Sequence, residues 1–232
     1  YILSPSEAAE VIRSGGALSP SRKPACLLTF DDGFVSNYSV AEDILAEMNI
    51  KAVFFVCPGL VDASVEEQPS LVAKHVFQCE LSSLSSSVPF QIMNWSQLRK
   101  LRDAGHAIGN HGMWHRRLSL LNLTQFKEEI GTGAELLARE IDGETPWYAY
   151  AFGDIESINK QAVAKVLRHH EFCRSGIRGG NQTMSRERLL LADQIDLNAP
   201  VGYWRFILDG GFDFRYRKAR KRYFAMNPDS KL

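Results

Sequence analysis

The sequence lacks several features that would place it in a specialised class of protein. It contains no uninterrupted apolar run long enough to span a bilayer, and no cleavable leader is evident. Neither sign of charge is in excess, because 27 Lys and Arg residues balance 27 Asp and Glu residues. This balance excludes a global field that recruits nucleic acid, and we expect no nucleic-acid partner.

Cysteine is also scarce, with four residues and no CxxC spacing. Cys26 and Cys57 fall in apolar, strand-like segments, where a thiol behaves as a small buried hydrophobe. This usage favours reduced cysteines and a cytoplasmic location. The sequence starts at Tyr1 rather than Met, so a removed leader and a periplasmic location stay open as the alternative.

The strongest local signal is the stretch of residues 25–33, ACLLTFDDG, in which an apolar run ends in two carboxylates and a glycine. Its short length and its bounds at Pro24 and Gly33 favour a strand buried on both faces. Open α/β sheets and α/β barrels carry their chemistry at the carboxyl ends of such strands. Asp31 and Asp32 repel each other there unless a cation or a shared proton relieves them. A turn acid followed by a helix cap is the structural alternative.

A second cluster, HAIGNHGMWH at residues 106–115, sets His111 and His115 four positions apart after another short apolar segment. On a helical turn this spacing brings two imidazoles to one face. Two imidazoles and one carboxylate form a catalytic zinc-type site with an open position for water. His106 is assigned to strand packing, because alternation directs it away from His111.

Together, TFDDG at residues 29–33 and HGMWH at residues 111–115 resemble the first two motifs of the polysaccharide deacetylases, carbohydrate esterase family four. The resemblance implies that Asp31 is the catalytic base and that Asp32, His111 and His115 hold a divalent metal, expected to be zinc. It also implies the fold class: α/β, a distorted, incomplete (β/α) barrel with mostly parallel strands. The expected partner is a carbohydrate substrate.

A third segment, PWYAYAFGD at residues 146–154, resembles the family motif whose backbone N–H binds the oxyanion. By this resemblance the donor is the backbone N–H of Phe152. Ala151 stands where the family usually has proline, so the rigidity of proline is absent. Gln194 is assigned to the place of an arginine that orients the base, and no match to the final Leu-x-x-His motif follows. The general acid is therefore missing or supplied differently.

The whole chain, residues 1–232, fits a single domain with a core at about residues 24–200. Residues 58–90 are serine-rich and are interpreted as an insertion, either a functional lid or partly disordered. Residues 203–224 are predicted to form one basic amphipathic helix, which either packs under the barrel or contacts an anionic membrane weakly. His169 and His170 are predicted to be solvated at a helix end or to interact favourably with the helix dipole. Oligomeric state is not predicted.

Apolar spacing predicts the remaining elements. Helices are expected after Ser4 and over residues 39–48, 94–104, 124–141 and 159–169; strands are expected over 51–57, 172–180 and 189–197. The first strand, helix and strand form a unit that implies parallel pairing.

The leading functional hypothesis is a metal-dependent hydrolase that removes an N-acyl group, N-acetyl in the first instance, from a saccharide or precursor of a cell-surface glycan. The alternatives are a catalytically silent member of the family that binds metal and sugar or a partner, and a deformylase-type deacylase. Ala151 and the missing acid motivate the silent alternative.

Overall fold

The computed structural model describes residues 1–15, 24–85, 90–181 and 188–228. Within them a six-stranded parallel sheet in the order β3-β4-β5-β6-β7-β8 curls into a half-barrel surrounded by helices, as predicted. A separate two-stranded parallel sheet joins β1 to β2. The strands are β1 (Ile2–Leu3), β2 (Cys26–Leu27), β3 (Thr29–Phe30), β4 (Val53–Val56), β5 (Ala107–Asn110), β6 (Trp147–Ala149), β7 (Phe172–Arg174) and β8 (Leu189–Leu190).

Ten α-helices lie in the described residues, and several begin where the sequence predicts. They are α1 (Pro5–Arg13), α2 (Val35–Val40), α3 (Pro58–Asp62), α4 (Gln68–His75), α5 (Trp95–Asp103), α6 (Leu123–Phe126), α7 (Gly133–Ile141), α8 (Lys160–His169), α9 (Val201–Leu208) and α10 (Asp213–Phe224). Ser4, Asn94 and Asn159 cap α1, α5 and α8 with their side chains, because each oxygen accepts an otherwise unpaired N–H of the first turn.

The strands alternate between two apolar layers, which explains why they read as continuous hydrophobic runs. Phe54 and Val56 of β4 face outward into a cluster with α5. Val53 and Phe55 face inward, where Ala8 of α1 packs on them. The predicted N-terminal helix therefore covers the inner face of the half-barrel.

The strand register brings the two polar motifs to one edge of the sheet. Phe30 pairs with Phe54, and Val56 pairs with Asn110. The residues that follow β3 and β5, Asp31 and His111, therefore leave the sheet at its carboxyl edge.

Two helices contain π-helical segments that apolar spacing did not predict. Residues Ala41–Leu45 continue α2, and residues Lys127–Thr132 lie between α6 and α7 in the helix predicted over 124–141. A single π-turn adds one residue to the helix while leaving the apolar stripe recognisable, so periodicity alone does not show it.

Much of the predicted insertion at residues 58–90 is helical and packed. It contains α3, α4 and a 3₁₀ turn at Leu81–Ser83. The buried side chain of Gln68 accepts the N–H of Ile92 at 3.1 Å, which ties α4 to the segment before α5. Ser86 and Ser87, in the serine-rich part of the predicted insertion, lie outside the described residues.

The prediction of one helix over residues 203–224 is wrong, because α9 and α10 are separate. The chain turns between them at Gly210, whose φ of +80° is readily adopted by glycine. Tyr223 of α10 is buried and donates its hydroxyl to the carbonyl of Cys173 at 2.9 Å. Ile207 is the buried residue of α9. None of the described helices combines the length and apolar character needed to cross a bilayer.

Candidate active site

Three side chains from two motifs converge at the carboxyl edge of the sheet. Asp32 Oδ1 lies 3.5 Å from His111 Nε2 and 3.4 Å from His115 Nε2. Donor atoms of the three residues all lie within 4.8 Å of one another. The sequence prediction that these residues form one cluster therefore holds in the structure.

The polar groups of this cluster fit a divalent cation. Asp32 Oδ1 is buried, yet it has no hydrogen-bond partner in the described residues. A buried carboxylate oxygen without a donor is costly, and a cation is the partner that such an oxygen takes. Two imidazole nitrogens beside it complete a three-ligand set that leaves a coordination position open.

Both imidazoles are held through their other ring nitrogen. His111 Nδ1 donates to the carbonyl of Ala149 at 2.8 Å, and His115 Nδ1 donates to the carbonyl of His75 at 3.0 Å. Because a carbonyl oxygen only accepts, Nδ1 carries the proton and Nε2 presents a lone pair. Burial lowers the pKa of both histidines, which keeps them neutral.

The contact from His75 was not predicted from the sequence. It brings the end of α4, in the predicted insertion, against a candidate metal ligand. A backbone carbonyl carries no side-chain signature, so a motif search has nothing to detect here.

Asp31 lies outside the three-residue cluster and has a different partner. Its Oδ1 accepts a hydrogen bond from Arg174 Nη2, at the end of β7. Burial raises the pKa of Asp31, but the Arg174 guanidinium together with His111 and His115 outweighs this effect, and the net pKa lies below the ordinary value. Its side chain is still 39% exposed, which leaves the carboxylate accessible. Asp31 is thus an ionised, accessible base candidate.

The assignment of Gln194 to the place of the orienting arginine is wrong. Arg174 pairs with Asp31, whereas the carbonyl of Gln194 accepts a hydrogen bond from Arg178 at 3.0 Å. Arg174 also lies over the ring of Phe55, 4.9 Å from its centroid. A charged residue at the carboxyl end of a buried strand was the signal that identifies it.

Phe152 lies beside the metal-ligand candidates. The centroid of its ring is 4.6 Å from that of the His115 ring. The Arg117 guanidinium lies over the Phe152 ring, 4.2 Å from the ring centroid. Its φ is +63°, and within the described residues its backbone N–H donates no hydrogen bond. An N–H that the fold holds in place and that has no acceptor among the described residues has the properties of an oxyanion donor.

Two of the remaining histidines are structural. His106 Nδ1 accepts the N–H of Ala52 at 3.0 Å, as its assignment to strand packing implies. The prediction that His170 is solvated is wrong: it is buried, donates from Nδ1 to Thr145 and accepts from Asn110 at Nε2. Within the described residues no third histidine forms a hydrogen bond or ion pair with Asp31 or Asp32.

Comparison with solved structures finds proteins of similar fold. The deacetylase PplD of Streptococcus pyogenes, solved in complex with acetate, is 20% identical, with 89% of this chain and 79% of that chain covered and a TM-score of 0.65. A de-N-acetylase from Aggregatibacter actinomycetemcomitans is 15% identical, covering 89% and 82% with a TM-score of 0.66. IcaB from Ammonifex degensii is 19% identical, covering 90% and 81% with a TM-score of 0.63. At these identities the likeness shows the fold.

No curated protein sequence matches the chain. The family model described as polysaccharide deacetylase matches residues 19–171, which include both aspartates, both histidines and Phe152. The chain therefore belongs to the polysaccharide deacetylase family.

Proposed function

We propose that this protein is a metal-dependent hydrolase that removes an N-acetyl group from an amino sugar in a cell-surface glycan or its precursor. The observation that carries the proposal is the arrangement of Asp31. An arginine-paired, accessible carboxylate follows β3 directly, and the next residue belongs to a three-donor cluster. A base beside a cation site is one constellation that catalyses the hydrolysis of an amide by water.

Asp32, His111 and His115 would hold the metal, and we propose zinc because two imidazoles and a carboxylate are a typical catalytic zinc set. A bound divalent ion supplies Lewis-acid activation of the acyl carbonyl and of the attacking water. The carbonyls of Ala149 and His75 keep the two rings oriented for this role.

The other groups move the proton and stabilise the developing charge. Arg174 holds Asp31 Oδ1, which leaves Oδ2 to accept the proton of the attacking water. The N–H of Phe152 donates to the oxyanion that forms at the acyl carbon. A proton must then reach the departing amine, and Asp31, protonated in the first step, is the group proposed to return it.

The solved structure of PplD with acetate supports acetyl as the acyl group, since acetate is the second product of such a reaction. The test is acetate and free-amine release from N-acetylated amino-sugar oligosaccharides. Asp31→Asn should abolish release while retaining zinc, and the exposed Asp43→Asn is the matched control. Parallel assays with N-formylated sugars distinguish a deformylase-type enzyme.

A catalytically silent protein is the second candidate, and Ala151 together with the lack of a histidine acid near Asp31 favours it. A silent protein would bind zinc and sugar without hydrolysis, and Asp31→Asn would leave sugar binding unchanged. Detectable turnover that depends on Asp31 eliminates this candidate.

We also propose that α9 and α10 give the protein a weak contact with an anionic membrane surface. Val201, Tyr203, Phe206 and Leu208 of α9 are exposed, as is Phe214 of α10. Basic side chains are exposed beside them on α10, among them Arg217, Lys218 and Lys221. Apolar side chains next to a basic surface match the two attractions that hold an interfacial helix.

A further inference from the structure

Glu129 is a buried carboxylate beneath the loop that carries His115. Its Oε1 accepts the backbone N–H of Trp114 and the backbone N–H of Arg116, each at 3.0 Å. Its own backbone carbonyl accepts the N–H of Met113 at 2.9 Å. Glu129 is fully buried, so its carboxylate lies inside the protein beneath the loop and not on the surface.

The two N–H groups that Glu129 accepts flank His115, and this explains an unusual backbone conformation. His115 has a φ of +56°, in the left-handed region that few residues other than glycine adopt, although Asn, Asp and His do so more often than the rest. A left-handed residue between right-handed ones turns neighbouring N–H groups toward one point and forms an anion-binding concavity. Glu129 Oε1 occupies that concavity as a built-in acceptor.

The loop backbone at Gly112 also passes close to Glu129 Oε1. Gly112 has a φ of +85°, and a Cβ atom there would lie 2.5 Å from Glu129 Oε1. Glu129 itself lies in the π-helical segment Lys127–Thr132, a rare conformation that occurs often at functional sites. The contact between the loop and the π-helical segment is therefore centred on the carboxylate of Glu129.

We infer that Glu129 is a positioning residue that holds the backbone around His115 in its left-handed conformation and so presets the imidazole for the metal. The inference rests on the proposed function, because it assumes that His115 is a metal ligand. Glu129 does not touch the metal or the substrate; it acts through Trp114 and Arg116. Outer partners that orient metal ligands commonly account for 10–100-fold in metal affinity.

The neighbouring Glu128 provides a matched control. It contacts the same two residues, but through their side chains: Oε1 accepts from Trp114 Nε1 at 3.1 Å and Oε2 accepts from Arg116 Nη1 at 2.8 Å. Glu128→Gln therefore changes a carboxylate on the same helix without touching the loop backbone.

The test measures zinc dissociation constants of the metal-stripped protein by competition with a chromogenic chelator. Glu129→Leu, which has no acceptor, and Glu129→Asp, which is too short, should weaken zinc binding about 10–100-fold. Glu129→Gln retains the Oε1 acceptor and should stay within about threefold of wild type. Glu128→Gln should bind zinc as wild type does. If Glu129→Leu does not fold, Glu129→Asp carries the comparison.

Amide hydrogen exchange in the metal-free protein is the second readout. Exchange at Trp114 and Arg116 should accelerate in Glu129→Asp and stay slow in Glu129→Gln. Wild-type zinc affinity in Glu129→Asp, or an equal loss in Glu129→Gln, overturns the inference. If the wild-type protein itself binds no zinc, the proposed function fails instead, and hydrogen exchange alone decides the role of Glu129.

Discussion

Arg174 and Asp31 pair at the carboxyl edge of the sheet although 143 positions separate them in the chain. Arg174 is the last residue of β7, and Asp31 directly follows β3. These two strands lie four positions apart in the half-barrel. The curvature of the sheet brings the two strand ends together, so the partner of the Asp31 carboxylate comes from the closure of the fold rather than from the motif that contains Asp31. This relationship has a measurable effect on acidity.

Replacing Arg174 by Met should shift the acid limb of the kcat/KM profile to higher pH. The guanidinium opposes the effect of burial and lowers the pKa of Asp31, so its loss raises that pKa. We expect kcat/KM at neutral pH to fall on the order of 100-fold, the scale of a general-base contribution. Arg178→Met, which removes a nearby arginine not paired with Asp31, should leave the acid limb in place. An unshifted limb in Arg174→Met would contradict the assignment of Asp31.

Single alanine substitutions at Asp32, His111 and His115 should each reduce the zinc content of the purified protein. The reason is the shared cluster, in which all three donor atoms lie within 4.8 Å. Elemental analysis gives the metal-to-protein ratio, and the exposed His169→Ala is the control. Full zinc content in a His111→Ala/His115→Ala double variant would place the metal elsewhere.

Acid should weaken the fold through His170, independently of catalysis. Burial lowers the pKa of His170 to about 4, from an ordinary value near 6.5. Because the folded pKa is the lower one, the unfolded chain binds more protons between these values. Stability is complete above about pH 6.5 and falls as the pH drops toward 4, by about 3 kcal/mol in total. The cause is local: protonated Nε2 would face the Asn110 amide that now donates to it.

Urea unfolding at pH 7.5 and pH 5 tests this effect. Wild type should lose about 2 kcal/mol more than His170→Gln between the two conditions, once the shared titrations cancel. An identical loss in both proteins would show that His170 does not control acid stability.

The basic surface of α10 should govern membrane binding. Arg220 donates to the carbonyl of Arg178, and Arg222 pairs with Glu156, so these two serve the fold. Arg217, Lys218 and Lys221 are exposed and have no ion pair within the described residues. Each contributes on the order of 1 kcal/mol near an anionic surface.

Changing Arg217, Lys218 and Lys221 to Ser should leave the melting temperature unchanged and weaken sedimentation with phosphatidylserine vesicles. At low salt we expect a loss on the order of 100-fold in partitioning, and a smaller loss at high salt. The same change at Lys160, Lys165 and Arg168 of α8 is the control. Equal sedimentation of the two triple variants would remove α10 from the contact.

Three of the predicted site residues share one property: each lies just after a strand-like run. Asp31, Asp32 and His111 follow β3 and β5, and the parallel arrangement then brings them to one edge. Their side chains also differ in chemistry from the apolar runs before them. Local patterning and topology together were sufficient for this part of the site.

The contacts that the sequence did not predict depend on packing between distant segments. The carbonyl of His75, at the end of α4, contacts the side chain of His115. The carboxylate of Glu129, in a π-helical segment, contacts the backbone of the same loop at Trp114. Order along the sequence favours Gln194 over Arg174, because the pairing of Arg174 with Asp31 depends on the closure of the sheet. The position of His170 at a helix end predicts solvation, whereas its neighbours in β5 and before β6 bury it.

Asp32, His115 and Phe152 all have left-handed backbones, with φ values of +70°, +56° and +63°. Each such conformation costs a non-glycine residue on the order of 1 kcal/mol or more. Without bound metal or substrate, glycine or asparagine at Asp32 or His115 would relieve this cost while weakening the candidate metal site. At Phe152 the same change would relieve the cost and keep the backbone N–H. Selecting variants for heat resistance alone would therefore enrich proteins with a damaged candidate metal site, and engineering of this protein requires a metal-binding screen beside every thermal one.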